Sequence, residues 1–290
     1  IAPKLGFALR ETRDRLTPGR LLLRELIAAE MQAPLPAIAG NDSSRLEALA
    51  TTSRRDILAA QRLRYRVFTE EYGAKFDGFA GIDRDRYDRH CRHVVVKDRL
   101  TGQVIAYTRI LTGERARKTG GWYSAGEFKM DMVDALPGRV LEIGRTCVHP
   151  EYRSGAAIGV LWAQLARILL QEGHRYLIGC ASIALSEPGA GAMLADLSGR
   201  VVDDVRYRVT PLLSLPAQPV RDSEHTKLPP LLRTYLSMGA KVCGAPCWDP
   251  DFNCADVFIL VDVQAIPARY VRHFMGEGTA GGVDTGRAVA

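Results

Sequence analysis

The chain has 290 residues, of which 47% are hydrophobic and 25% charged, a composition typical of a globular protein with a sizeable core. Its formal net charge of +6 favours an acidic protein, an anionic membrane or nucleic acid as a partner, although a basic enzyme without such a partner fits equally well. No apolar run reaches the roughly 18 residues that a spanning helix needs, so any contact with the inner membrane is expected to be peripheral.

The cysteines do not follow the spacing of a zinc site. They are Cys91, Cys147, Cys180, Cys243, Cys247 and Cys254. The last three come nearest to a ligand pattern, but no histidine lies near them. We therefore predict structural cysteines, no bound metal and a reducing, cytoplasmic location, which agrees with the lack of a signal-peptide pattern.

The predicted elements begin with an extension, residues 1–44, that packs on the body of the protein. Its segment LLLRELIAAEM predicts a short helix, which favours a packing role over a membrane-seeking one. A strand follows at RLEALAT. The next helix, SRRDILAAQRLRYRVFTEEYG, has Ser53 as its expected N-cap and Gly73 as its expected end.

After a polar loop rich in Asp and Arg, HVVVK and QVIAYTRIL predict two strands joined by the turn DRLTG. RVLEIGRTCV predicts a strand, GAAIGVLWAQLARILLQEG a helix and RYLIGCAS another strand. Helices are expected at GAMLADLSG and LPPLLRTYLSMG, and strands at AKVCG and ADVFILVDV. This order predicts an α/β (α+β) protein with a mixed sheet and one parallel crossover around residues 156–172. The Gly-rich residues 276–290 predict a flexible tail.

One strand carries two charges of opposite sign, Glu142 and Arg145. Residues three apart on a regular strand point to opposite faces. Gly144 lies between them, and a glycine in a strand often marks a bulge that brings both side chains to one face. Such a bulge would splay the sheet into a slot lined by both charges. An internal salt bridge that holds the bulge explains the pair equally well.

The loop that follows this strand can bind an anion, because small residues precede a helix whose first N–H groups are free. Its candidate phosphate-binding residues are Arg153, Ser154, Gly155, Ala156 and Ala157. On its own this pattern is common to many loops.

Charged residues in three other places are also candidates. Arg64 and Phe68 share a face of the first helix, as residues four apart do. Asp85 and Asp88 lie in the polar loop, where solvated charges are the ordinary explanation. Arg109 stands among apolar strand residues, so it needs a carboxylate partner or a ligand.

Taken together, these residues resemble the GNAT N-acyltransferase superfamily. Four segments resemble L-ornithine N-alpha-acyltransferases in particular: LRYRVFTEEYGA, DRDRYDRHCRHVVV, LEIGRTCVHPEYRSGAAIGVLWAQLARILLQEGHRYLIGCAS and LPPLLRTYLSMGAKVCGAPCWDPDFNCADVFILVD. The resemblance covers residues 45–275. It implies the GNAT fold, a mixed twisted sheet with a bulged, splayed central strand and flanking helices. It also implies transfer of a 3-hydroxyacyl group from acyl carrier protein to the α-amino group of L-ornithine, which forms a lyso-ornithine lipid.

A more distant resemblance is to acyl-homoserine lactone synthases, which also use acyl carrier protein. The positions that match that family's motifs are Arg64, Phe68, Asp85, Asp88, Arg109, Glu142 and Arg145. The tryptophan that the family places after the first helix is absent here, and Ala74 stands near that position. We therefore do not interpret the chain as a signal synthase.

The phosphate loop departs from the usual GNAT pattern, because Tyr152 stands where a basic or amide residue belongs and Arg153 comes one place late. A single pantetheine phosphate needs fewer hydrogen-bond donors from this loop than the diphosphate of coenzyme A does. We therefore expect the phosphopantetheine thioester of acyl carrier protein as donor, with acyl-CoA as the alternative, and no permanently bound cofactor or metal.

Acyl transfer to an amine needs a base, donors for an oxyanion and a thiolate that leaves. Glu142 is the predicted base, acting through a water, and His149 is the second candidate. Arg145 and Arg109 are predicted to hold the carboxylate of the amino acid. Asp85 or Asp88 would bind its distal ammonium group, unless their loop docks on the carrier protein or on the chain's own arginines.

Two alternatives remain at this point. One is a GNAT enzyme that acylates another amine from acyl-CoA or acyl carrier protein. The other is a basic module that binds a membrane or nucleic acid without catalysis. Few aromatic residues interleave with the arginines, which disfavours nucleic acid as a partner.

Overall fold

The computed structural model describes residues 43–76, 81–216, 227–268 and 270. Nearly all of the predicted extension and the whole of the predicted tail lie outside these residues. The helices of the described part are α1 (Arg54–Tyr72), α2 (Gly113–Thr119), α3 (Ala156–Gln171), α4 (Ala190–Ser198) and α5 (Pro230–Ser237). None of its helices is long and apolar enough to span a membrane.

The strands include all seven that the sequence predicts and three short ones that it does not. They are β1 (Leu46–Thr51), β2 (Arg92–Asp98), β3 (Val104–Thr112), β4 (Phe128–Lys129), β5 (Arg139–Val148), β6 (His174–Ala184), β7 (Thr210–Pro211), β8 (Lys241–Val242), β9 (Cys247–Asp249) and β10 (Cys254–Asp262). The short strands β4, β7 and β9 lacked a run of alternating apolar residues, which is the signal on which strand prediction depends.

Helix α1 begins and ends where its capping residues predict. The Ser53 side chain accepts a hydrogen bond from the backbone N–H of Asp56, and Gly73 adopts the left-handed conformation, φ 66°, that ends the helix. Leu63 and Val67, four residues apart on the same face, are buried with Tyr107 of β3. This packing fixes the orientation of Arg64, which lies beside them on the helix.

The main sheet has the order β1-β2-β3-β5-β6-β10-β8, with β9 also paired to β10. The pairing of β5 with β6 is parallel, and the chain passes from one to the other through α3. The other pairings in this sheet are antiparallel. The predicted mixed sheet with a parallel crossover is therefore confirmed.

Strands β5 and β6 separate partway along their length. Their pairing extends from Arg139 to Glu142 on β5, where Glu142 lies opposite Ile178. Beyond this point β5 continues beside β3, and β6 continues beside β10. The two strands thus leave a gap in the middle of the sheet, as the prediction of a splayed central strand requires.

The predicted bulge in β5 exists, but its predicted place is wrong by one residue. Arg109 of β3 pairs with Gly144 and Tyr107 pairs with Cys147, so Thr108 faces two residues, Arg145 and Thr146. Arg145 adopts the left-handed conformation, φ 54°. That conformation costs a non-glycine residue roughly 1–2 kcal/mol, so contacts of the Arg145 side chain must hold it.

Gly179 of β6 comes directly after the last residue that pairs with β5 and lies close to the β5 backbone. A Cβ atom there would lie 2.6 Å from the carbonyl oxygen of Ile143. We expect Gly179→Ala to lower the free energy of unfolding by about 1–3 kcal/mol, as overpacking does. Thermal unfolding measures this loss as a shift of roughly 2–4 °C per kcal/mol.

Gly159→Ala on α3 is the matched control, because a Cβ atom there meets nothing within 4 Å. Alanine should leave stability unchanged or raise it slightly, since it is the better helix former. Equal melting temperatures for the Gly179 variant and the wild type would show that the strands are not held this close.

Candidate active site

The gap between β5 and β6 opens into a cavity of about 130 Å³. Its wall includes Phe68 of α1, Arg145 of β5 and Asp256 of β10. A second cavity, of about 410 Å³, lies at the start of α3 against Tyr152 and Arg153. The two cavities share the lining residues Phe68, Tyr72, Thr146, Ser182, Pro229 and Leu231. The two cavities therefore adjoin each other.

Three arginines and three aspartates form a buried ionic network beside this cavity. Arg64 contacts Asp83 at 2.8 Å and Asp88 at 2.7 Å, and its side chain is fully buried. Arg109 contacts Asp88 at 2.9 Å and Asp85 at 2.7 Å. Although burial opposes ionisation, the two guanidinium groups hold the pKa of Asp88 below its usual range.

Arg145 joins the same network from the bulge of β5. Its Nε lies 3.2 Å from the carboxylate of Asp83, and its Nη2 lies 3.6 Å from that of Asp85. Its Nη1 donates a hydrogen bond to the hydroxyl of Tyr123 at 2.8 Å. These contacts supply the interactions that hold Arg145 in its left-handed conformation.

The network places the predicted substrate-binding residues in two groups. Phe68 and Arg145 line the cavity. Arg64, Arg109, Asp85 and Asp88 are not part of its lining, and they form ion pairs with one another. For these four residues, the structure shows ion pairs with one another and with Asp83, and their predicted role in substrate binding stays a prediction.

Glu142, the predicted base, is buried and accepts three hydrogen bonds. Its Oε2 accepts from the backbone N–H of Tyr123 at 2.7 Å. Its Oε1 accepts from the N–H of Ser124 at 2.8 Å and from the Ser124 hydroxyl at 2.6 Å. Burial raises the pKa of Glu142 against the effect of these donors. The carboxylate thus anchors the 122–127 segment to the sheet and is not part of the cavity wall.

Glu142 and Arg145 lie on one face of the sheet, as the slot hypothesis expects. Both contact Tyr123, through its backbone N–H and its hydroxyl respectively. Arg109 also lies over the Tyr123 ring, 5.2 Å from its centre. Glu142 and Arg145 therefore meet through Tyr123, and no salt bridge joins them among the described contacts.

Three carboxyl groups that sequence analysis missed line the cavity: Glu127, Asp249 and Asp256. Burial raises the pKa of Asp256 to about 6, and burial together with Asp256 raises the pKa of Glu127 well above its usual value. Ligand atoms of Asp249, Cys254 and Asp256 lie within 4.8 Å of one another. This end of the cavity therefore has the chemistry to receive a cation.

These acids carried little signal in the sequence. Glu127 lies in a segment without helix or strand periodicity, and Asp256 is one acid in the apolar strand ADVFILVDV. A buried acid on a strand needs a partner, as Arg109 does, and this argument would have singled out Asp256.

His149, the second candidate base, lies away from the cavity wall. Its Nε2 is 3.0 Å from Nη1 of Arg66. An arginine can only donate, so this nitrogen accepts and its lone pair is occupied. Burial and the charge of Arg66 lower the pKa of His149 to about 4, which keeps the ring neutral at neutral pH.

The predicted phosphate loop leads into α3 as expected. Gly155 is the residue before the helix and has φ 104°, and Ser154, Ala156 and Ala157 flank it. Arg153 also lines the second cavity, but its guanidinium contacts Glu71 and the carbonyl oxygen of Val148. The first N–H groups of α3 are the remaining donors for an anion.

Tyr152 occupies the position where a basic residue was expected, and its side chain turns into the core. Its hydroxyl donates a hydrogen bond to Asp98 at 2.7 Å, and the residue is 5% exposed. The loop thus has one cationic side chain, Arg153, beside the helix terminus.

Comparison with known proteins agrees with this architecture. Residues 63–163 match the family model described as acetyltransferase (GNAT) domain. The L-ornithine N(alpha)-acyltransferase of Brucella abortus (strain 2308) is 33% identical over 251 residues, covering 80% of this chain and 89% of the relative. That of Rhizobium meliloti (strain 1021) is 32% identical over 284 residues, covering 91% of this chain and 92% of the relative.

Among solved structures, an N-acyl amino acid synthase from uncultured soil microbes aligns with a TM-score of 0.45 and 13% identity, over 76% of this chain and 93% of that one. The ornithine acyltransferase relatives match most of the chain at more than 30% identity, and the GNAT domain match includes β5 and the first half of α3. This chain is an acyltransferase and belongs to the family of L-ornithine N(alpha)-acyltransferases.

Proposed function

We propose that this chain transfers a 3-hydroxyacyl group from the phosphopantetheine thioester of acyl carrier protein to the α-amino group of L-ornithine, and so forms a lyso-ornithine lipid. The gap between β5 and β6 is the observation that carries the proposal. It joins a cavity beside a helix N-terminus to one that contains Arg145 and three carboxyl groups.

The donor side suits a single phosphate. The N–H groups that open α3 have no partner one turn earlier in the helix, and they attract an anion. Arg153 is engaged by Glu71 and Val148, and Tyr152 is turned towards Asp98. A diphosphate would find few further donors here. The carrier protein, which is acidic, would also be attracted by the net charge of +6.

The acceptor side suits a dibasic amino acid. Ornithine carries one carboxylate and two ammonium groups at neutral pH. The cavity offers one guanidinium, that of Arg145, and the three carboxyl groups of Glu127, Asp249 and Asp256. The cavity and ornithine thus both carry charges of each sign, and the acidic excess of the cavity matches the positive excess of ornithine. This complementarity favours ornithine over a neutral amino acid.

The reaction itself needs few groups. The α-ammonium gives one proton to water, and its nitrogen bonds to the thioester carbon. The carbon–sulfur bond then breaks, and the second proton lost from the nitrogen goes to the thiolate that is released. From Ile143 onward, β5 no longer pairs with β6. Backbone N–H groups at this free edge would donate to the oxyanion that forms in between.

The donor prediction is tested with 3-hydroxyacyl carrier protein and the matching 3-hydroxyacyl-CoA, each with L-ornithine. We expect kcat/KM for the carrier to exceed that for the CoA ester by about tenfold or more, because opposite charges steer the two proteins together. Added salt should lower only the carrier value strongly. Thiol release and mass spectrometry of the product measure both, and equal values would contradict the carrier as donor.

Arg145 and Arg109 are expected to differ. Arg145→Ala should raise KM for ornithine by about 10- to 100-fold, since a charge-assisted hydrogen bond is worth about 1.5–3 kcal/mol, while Asp83 keeps its contact with Arg64. Arg109→Ala removes the arginine shared by Asp85 and Asp88 and should lower stability by about 3–5 kcal/mol. Steady-state kinetics and thermal unfolding of both variants separate the two effects. A stable Arg109 variant with a raised KM would restore Arg109 as a substrate ligand.

Glu142→Gln tests whether the carboxylate is a base or an anchor. As an anchor it faces three donors, so an amide loses at least one hydrogen bond and stability falls by about 1–3 kcal/mol. The rate would fall as the 122–127 segment loosens, without recovery at high pH. Ser124→Ala, which removes one of the three donors, should show the same effects more weakly.

As a base, Glu142 would instead account for about 10²- to 10⁴-fold in rate. The Gln variant would then keep its melting temperature and recover activity as pH rises, and Ser124→Ala would stay active. The pH–rate profiles and melting temperatures of the two variants therefore distinguish the two roles.

A further inference from the structure

One oxygen of Glu127 has no hydrogen-bond partner among the described residues. Its Oε2 atom is buried, and the residue lines the cavity in the gap between β5 and β6. A buried carboxylate oxygen without a donor is costly. The position therefore calls for a ligand that donates hydrogen bonds and carries positive charge.

Asp256 forms the other half of this acidic site. It is 4% exposed, lines the same cavity and accepts a hydrogen bond from the hydroxyl of Ser182 at 2.5 Å. Asp256 also raises the pKa of Glu127, as two neighbouring carboxylates do when no cation separates them.

An aromatic contact brings these two acids together from distant parts of the chain. Glu127 directly precedes Phe128 of β4, and Asp256 lies two residues before Phe258 on the same face of β10. The rings of Phe128 and Phe258 pack edge to face with their centres 5.6 Å apart. Both side chains are almost completely buried, so the core fixes the positions of the acids.

The acidic site meets the route of the acyl donor at Asp256, whose carboxylate accepts a hydrogen bond from Ser182. Neither Glu127 nor Asp256 lines the second cavity at the start of α3, whereas Thr146 and Ser182 line both cavities. A thioester that arrives from α3 reaches this shared wall first. The reacting amine must lie there, and the more distant end of the acceptor then reaches Glu127.

We propose that Glu127 and Asp256 form the subsite for the side-chain ammonium group of the acceptor, and that they select a dibasic amino acid over a neutral one. The inference rests on the proposed function, since it takes ornithine as the acceptor. An ammonium group supplies three donors, enough for Glu127 Oε2 and for the oxygens of Asp256. Arg145, which lines the same cavity, remains for the carboxylate of the acceptor.

The test compares L-ornithine with L-norvaline, which has the same carbon chain without the terminal amine. Wild type, Glu127→Gln and Asp256→Asn are measured with the same acyl donor, and ligand-induced thermal stabilisation is measured without a donor. Glu114→Gln serves as the control, because Glu114 is exposed on α2.

In the wild type we expect ornithine to be the better substrate and the better stabiliser. Each of the two site variants should lower the ratio of kcat/KM for ornithine to that for norvaline by about 10- to 100-fold, through KM for ornithine, as loss of a charged hydrogen bond does. The norvaline values and the control variant should not change. Two separate isosteric substitutions ensure that poor folding of one variant does not decide the result.

An equal fall of kcat/KM for both amino acids would place the pair at the reacting amine and overturn the proposal. The proposal would also be overturned if neither kcat/KM value changed. Activity lost to a chelator and restored by a divalent ion would assign the carboxylates to a metal instead. A wild type that is stabilised by ornithine over norvaline but acylates neither would contradict the proposed function alone. Acylation of ornithine with no preference over norvaline would contradict the subsite alone.

Discussion

The architecture depends on a buried network of ion pairs between three arginines and three aspartates. Each ion would cost several kcal/mol to remove from water alone, so Arg64, Arg109 and Arg145 require the aspartates of the 83–88 loop. Because Asp88 contacts both Arg64 and Arg109, the loop ties helix α1 to strand β3. Arg145 completes the network from the bulge, and the network in turn offsets the cost of its left-handed backbone.

The bulge and the gap give the two halves of the sheet different charged surfaces. On one side β5 stays paired with β3 and carries Arg145 into the ionic network. On the other side, β6 stays paired with β10. Asp256 of β10 forms no ion pair with an arginine among the described residues. The cavity between them is therefore positive on its β5 wall and acidic on its β10 wall. This polarity is the basis on which we propose a dibasic amino acid as the acceptor.

Much of the fold could be predicted because its signals are local. Ser53 and Gly73 mark the ends of α1, and the alternating runs of β2, β3 and β10 give their strands. The pair of Glu142 and Arg145 predicted a bulge. The presence of Gly144 suggested that residue as its position, because nothing in the sequence reveals that Arg145 adopts the left-handed conformation. The partners of Arg64 and Arg109 depend on packing between elements up to 24 residues apart in sequence. Glu127 was missed because only tertiary contacts, through Phe128 and Glu142, give its segment a position.

The order of the strands along the chain has a consequence for how the protein is made. The ionic network needs only residues 64–145, so it can assemble while the chain is still growing from the ribosome. The acidic wall comes from β10, the last strand of the sheet in sequence, which must insert between β6 and β8. Contacts of such long separation form late in folding. A nascent or truncated chain would therefore hold a preformed ionic network without the β10 wall of the cavity.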